Sequence, residues 1–145
     1  MQSSKTIEHI LDEARSKIAR LEPEEARIAA AAGGLIVDIR SDRARERDGI
    51  IPGSLHIPRT VLEWRIDPRS SFRNPEVGGL DREVILLCDH GYSSSLAAAM
   101  LVELGFVRAG EVVGGFEAWA RAGLPVGRPR SDSLDGALPG MGRPD

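Results

Sequence analysis

The run Val84-Ile85-Leu86-Leu87-Cys88-Asp89-His90-Gly91-Tyr92-Ser93-Ser94-Ser95-Leu96-Ala97-Ala98-Ala99-Met100-Leu101 decides how the rest of the chain is read. Four apolar residues opening on a β-branched one have the pattern of a strand buried on both faces, as inside a parallel sheet. The single cysteine of the chain stands where that strand stops. Gly91 supplies the backbone freedom a sharp turn needs, and Ser93, Ser94 and Ser95 are expected to cap a new helix. Leu96, Met100, Leu101 and Leu104 are expected on one face of that helix, with Gly105 at its C-terminus.

A strand, a tight loop and a helix in succession aim loop amides and the unpaired amides of the first helical turn at one spot. That spot suits negative charge, and a thiolate is such a charge. A cysteine at a helix N-terminus can have its pKa lowered from ~8.5 to about 3.5–7.5. A lone cysteine at a strand end also reads as a small buried hydrophobe. The glycine-containing turn and the helix behind it favour the nucleophile.

Three stretches together resemble the rhodanese-homology domains. Cys88-Asp89-His90-Gly91-Tyr92-Ser93-Ser94 is similar to the family's active-site loop, Cys-x-x-Gly-x-Arg-Ser. Asp38-Ile39-Arg40, then Gly49-Ile50-Ile51-Pro52-Gly53-Ser54 and Ile57-Pro58, resemble its early signature, and Gly114-Gly115-Phe116-Glu117-Ala118-Trp119 with Ala122-Gly123-Leu124-Pro125-Val126 its closing one. The resemblance implies an α/β fold with a central, mostly parallel sheet covered by helices on both faces. It also implies a sulfurtransferase in which Cys88 carries sulfane sulfur as a persulfide from a small donor such as thiosulfate to a thiol or cyanide acceptor. The loop residues Asp89, His90, Gly91, Tyr92, Ser93 and Ser94 would bind the substrate. Ser93 stands where the family commonly has arginine, so neither the charge nor the fork of a guanidinium is present there. Asp89 is expected to point away from the pocket.

Other classes fit less well. Phosphatases and arsenate reductases use a cysteine loop that is one residue longer and ends in arginine. A persulfide carrier fed by a partner in a sulfur relay, and a silent protein-binding module, are the alternatives.

At 145 residues the chain is the size of one domain, and its net charge of −3 makes no electrostatic case for nucleic acid or an anionic membrane surface. The apolar runs are shorter than a membrane span, and the polar N-terminus lacks a secretory block, so the cytoplasm is the expected location. One cysteine and three scattered histidines, His9, His56 and His90, predict no internal disulfide and no metal site, and no cofactor is implied.

Three parts are expected: an N-terminal amphipathic helix over 1–22, the rhodanese-like domain over 23–126, and a flexible tail over 127–145. Ile7, Ile10, Leu11, Ala14, Ile18 and Leu21 recur at helical spacing and predict the first helix. Pro23-Glu24-Glu25 opens a second, short helix, and Leu35-Ile36-Val37-Asp38-Ile39 follows as a strand. Asp38 and Arg40 are read as tying down the next loop, Arg43, Arg45 and Arg47 as a solvated face, and His56 as structural. Pro58 and Pro68 bracket a short helix on which Arg59 and Arg65 are candidate anion-binding residues, with pairing to Glu63 and Asp67 as the plainer reading. Val107 to Val113 predicts the last strand with Glu111 at its polar entry, and Phe116, Trp119 and Ala120 are expected to face inward from a final helix.

Overall fold

A computed structural model of the protein describes residues 4–129 and the backbone of Arg143 and Pro144. The elements run α1 (Ile7–Arg15), β1 (Ala19–Leu21), α2 (Pro23–Ala31), β2 (Leu35–Asp38), α3 (Asp42–Asp48), β3 (Leu55–His56), α4 (Leu62–Ile66), β4 (Val84–Leu87), α5 (Ser93–Leu104), β5 (Ala109–Val112), α6 (Gly115–Arg121) and β6 (Arg143–Pro144). The sheet order is β1-β5-β4-β2-β3-β6. The first five strands pair in parallel and β6 adds an antiparallel edge. The expected tail falls largely on residues 130–142 and 145, outside the described residues.

β4 lies at the centre because all four of its side chains are buried, two on each face. Val84 and Leu86 join a core with Ala97, Ala98 and Leu101 of α5 and Leu62 and Ile66 of α4. Ile85 and Leu87 join the opposite core with Ala26 of α2 and Phe116 and Trp119 of α6. The alternation follows from the two-residue period of a strand.

Several expectations are corrected. The first helix ends at Arg15, and Ala19-Arg20-Leu21 forms an edge strand beside β5 instead of a further helical turn. Ile7 and Ile10 are consequently exposed, while Ile18 packs against the core. On α5 the buried face runs through Ala97, Ala98 and Leu101, because small side chains let the helix approach the sheet closely, and Leu96 and Met100 stay half-buried. Ala120 is exposed, leaving Phe116 and Trp119 as the inward face of α6.

Arg45 is fully buried, not part of a solvated face. Its Nε lies 3.3 Å from Asp38 Oδ2, and its Nη1 donates to His56 Nδ1 at 3.0 Å. The Arg40 guanidinium makes two contacts with Asp38, at 3.0 and 2.8 Å, and stacks 4.1 Å over the Phe116 ring. Asp38 and Arg40 thus anchor the segment after β2 with charges that neutralise one another.

Because arginine can only donate, His56 Nδ1 is the acceptor and its Nε2 carries the proton to the Arg40 carbonyl at 2.8 Å. Burial pushes the His56 pKa down from 6.5 to about 4, partly offset by the Arg40 carbonyl, and the Arg45 charge lowers it further. A depressed histidine favours the folded state fully above the unfolded value and loses that contribution as pH falls from about 6.5 toward 4, by up to about 3 kcal/mol. Urea midpoints measured at pH 7.5 and 4.5 should therefore fall more steeply for the wild type than for His56→Gln. Equal slopes would remove His56 as an acid-sensitive element.

Candidate active site

β4 ends at Leu87, and Cys88 begins the loop to α5. The loop backbone is held from the side of α6. The Phe116 amide donates to the Cys88 carbonyl at 2.8 Å and the Glu117 amide to the Asp89 carbonyl at 3.1 Å. Gly91 then turns the chain with φ +85°, in the left-handed region that favours glycine. Its amide points inward and donates to Cys88 Sγ at 3.1 Å.

The residue at the N-cap of α5 is Tyr92, without a side-chain capping bond, so the serines do not cap the helix as expected. They occupy its first turn, and Ser94 and Ser95 turn inward. Ser94 Oγ lies 3.2 Å from Cys88 Sγ and donates to Glu111 Oε1 at 2.6 Å. Ser95 Oγ donates to Glu111 Oε2 at 2.6 Å. Glu111 is not at a polar strand entry. It sits within β5, fully buried beneath the loop.

Two arginines complete this arrangement. Arg20 Nε donates to Glu111 Oε2 at 2.9 Å, and Arg15 Nε donates to Ser95 Oγ at 3.0 Å while lying 3.9 Å from the same carboxylate oxygen. Arg15 Nη2 also donates to the Gly91 carbonyl at 2.8 Å, and its guanidinium lies 5.5 Å from the centre of the Tyr92 ring. The first helix therefore supports the cysteine loop directly, and the first strand supports it through Glu111.

Cys88 retains 6% exposure. Burial pushes its thiol up, hydrogen bonding from the loop and the first turn of α5, the Ser94 and Gly91 amides included, opposes burial, and the pKa is lowered from its ordinary value. These groups converge on sulfur because the loop and the first turn of α5 wrap around it. Such an arrangement suits a sulfur nucleophile and an anion formed on it.

The other anticipated site residues are spread more widely. Asp89 and His90 line a cleft of about 430 Å³ with Arg47, Asp48, Phe116 and Glu117, and Cys88 is not part of its lining. His90 is 62% exposed at its side chain and lies 3.7 Å from the Glu117 carboxylate. Tyr92 and Ser93 are exposed. Arg59 pairs with Glu63 at 3.0 Å, and Arg65 donates to the Phe72 carbonyl at 2.8 Å. Trp64 beside it is exposed, and Asp67 pairs with Arg69 rather than Arg65. The residues that sequence reasoning did not connect with the site are Arg15, Arg20, Ser95 and Glu111. The available signal was an acid inside a strand of otherwise small and apolar residues.

Comparison with known proteins gives a consistent result. The model of the family described as rhodanese-like domain matches residues 22–122. Thiosulfate sulfurtransferase GlpE from Stutzerimonas stutzeri is 39% identical over 100 residues, covering 69% of this chain and 83% of the relative. Its namesake from Pseudomonas syringae pv. syringae is 36% identical over 104 residues, covering 72% and 89%. A solved Rhodopseudomonas palustris protein of unknown function, named as a possible tyrosine phosphatase, superposes with a TM-score of 0.78 at 37% identity, covering 87% of this chain and 97% of that one.

Proposed function

Because the chain belongs to the rhodanese-like domain family, we propose that it is a sulfurtransferase that moves sulfane sulfur through a persulfide on Cys88, with thiosulfate as donor. The observation that carries this reading is the convergence of the Gly91 amide and the Ser94 hydroxyl on Cys88 Sγ at the mouth of a helix. In the first step the Cys88 thiolate attacks the outer sulfur of thiosulfate. The donor S–S bond breaks, and sulfite leaves with its electron pair. In the second step cyanide or a thiolate attacks the outer sulfur of the persulfide, and Cys88 leaves as the thiolate. A covalent intermediate splits one transfer into two. Asp89, His90, Gly91, Tyr92, Ser93 and Ser94 form the proposed substrate-binding loop, with the amides of Gly91 and Ser94 as donors to the sulfur anion.

A second reading is a persulfide carrier fed by a partner protein. It is favoured by the loop's lack of arginine and the slight exposure of Cys88. Phosphate chemistry is less favoured, since the loop has no guanidinium to wrap a tetrahedral anion. No helix among the described residues is long and apolar enough to cross a membrane. The cytoplasm is the proposed location, where a single unpaired cysteine stays reduced.

Intact-protein mass spectrometry after incubation with thiosulfate tests the donor. The expected result is a cyanide-labile gain of one sulfur on the wild type. No gain from thiosulfate on a demonstrably free thiol would exclude it as donor and leave the carrier. The lowered thiol makes a further prediction. Alkylation rates followed against pH should rise with a midpoint below that of an unstructured cysteine peptide measured alongside. A midpoint at or above that value would show that burial prevails over the hydrogen bonds.

A further inference from the structure

Glu111 has no part in the chemistry above, yet its carboxylate is fully buried directly behind the nucleophile. One hydroxyl separates them. Ser94 Oγ lies 3.2 Å from Cys88 Sγ and 2.6 Å from Glu111 Oε1, and a serine has a single proton to give. The carboxylate is the stronger acceptor and makes the shorter contact, so the proton is drawn toward Glu111. Ser94 Oγ is then turned to accept from the Cys88 S–H.

The other groups facing Glu111 come from α5, β1 and α1. Ser95 of α5 and Arg20 of β1 donate to Oε2 at 2.6 and 2.9 Å, and Arg15 of α1 stands 3.9 Å from the same atom. Ser95 and Arg20 donate to Oε2 as Ser94 does to Oε1, so both carboxylate oxygens act as acceptors. Arg15 and Arg20 both precede residues 22–122, the part matched by the family.

We propose that Glu111, acting through Ser94, is a positioning residue that favours the sulfur-loaded form of Cys88 over its bare thiolate. The inference rests on the sulfur-transfer reading. A bare thiolate concentrates negative charge on Sγ, one hydroxyl away from a carboxylate, and Ser94 cannot donate to both. In the persulfide the charge resides on the outer sulfur, one bond farther from Glu111, and Sγ needs no proton from Ser94. When cyanide attacks, the Sγ–S bond breaks, its electron pair returns to Sγ and thiocyanate departs. Charge therefore moves inward, toward Glu111, during unloading. The carboxylate opposes that movement and prolongs the life of the loaded protein.

The test uses the full chain as wild type, Glu111→Gln, Ser94→Ala, the double variant, and Arg20→Gln with and without Ser94→Ala. The first measurement titrates the thiolate by its ultraviolet absorbance on sulfur-free protein, so it needs no sulfurtransferase activity. Glu111→Gln should lower the midpoint by about one pH unit, and by less than half as much when Ser94 is absent. Arg20→Gln should shift it upward, again more with Ser94 than without. Arg20 keeps 33% exposure at its side chain, so this pair decides the matter if Glu111→Gln does not fold. A shift that is equal in both Ser94 backgrounds, or an upward shift in Glu111→Gln, overturns the proposal.

The second measurement loads the proteins with inorganic tetrasulfide, verifies the added sulfur by mass, and follows single-turnover unloading to cyanide. Unloading should be about tenfold faster in Glu111→Gln, the equivalent of one pH unit in thiolate stability. An unchanged or slower rate overturns the proposal. A wild-type protein that cannot be loaded overturns the sulfur-transfer reading, and this inference with it, whatever the thiol titration shows.

Discussion

Cys88→Ser is expected to lower sulfur transfer from thiosulfate to cyanide by at least about a thousandfold while leaving the chain folded. The substitution changes one atom at a position with 6% exposure, and the Gly91 amide and Ser94 hydroxyl that surround Sγ remain in place. What disappears is the thiolate. A serine hydroxyl is a weak nucleophile without an adjacent general base, and oxygen cannot hold sulfur as a persulfide. Initial rates of thiocyanate formation measure the loss, and a thermal melt matching the wild type shows that the fold is intact. Residual activity above about one percent of wild type would mean that sulfur passes through another group.

Gly115→Ala should unfold or severely weaken the protein through the same loop. Gly115 has φ +65°, and a Cβ there would lie 2.5 Å from the Cys88 carbonyl oxygen and 2.6 Å from the Asp89 carbonyl carbon. Those atoms are backbone, so no side chain can swing aside to make room. The left-handed conformation costs an alanine about 1–2 kcal/mol, and forced overpacking adds about 1–3 kcal/mol. A total loss of roughly 2–5 kcal/mol is expected in urea denaturation. Gly53→Ala provides the contrast, because φ there is +84° but nothing lies within 4 Å of the added carbon. Only the conformational cost, about 1–2 kcal/mol, should appear at Gly53. Similar losses at both positions would show that the loop yields to Gly115 without resistance.

The strand, turn and helix around Cys88 were legible because each depends on neighbours in sequence. Four apolar residues define β4, Gly91 permits the turn, and Gly105 closes α5 at φ +107°. Burial of charge was not legible, because it depends on partners that only the fold brings close. Arg45 reads as one charge in an alternating run until Asp38 and His56 are placed beside it. Glu111 reads as the polar end of a strand until Ser94, Ser95 and Arg20 are seen to surround it. The first strand was missed for a related reason. Ala19-Arg20-Leu21 continues a helical spacing of apolar residues, and only the register of Arg20 with Glu111 across β5 makes it a strand. On α5, hydrophobicity pointed to Leu96 and Met100, whereas closeness of approach selected Ala97 and Ala98.

The position of β1 at the end of the sheet has a consequence for self-association. Parallel pairing of Ala19, Arg20 and Leu21 with Gly110, Glu111 and Val112 occupies the outer hydrogen-bonding edge of β5. Loss of residues 19–21 would strip that cover and leave β5 as a bare edge with a buried acid newly open to water. An uncovered edge beside a strongly apolar central strand is a template for the strand of another molecule. The same three residues that carry Arg20 to the site thus act as a guard against aggregation.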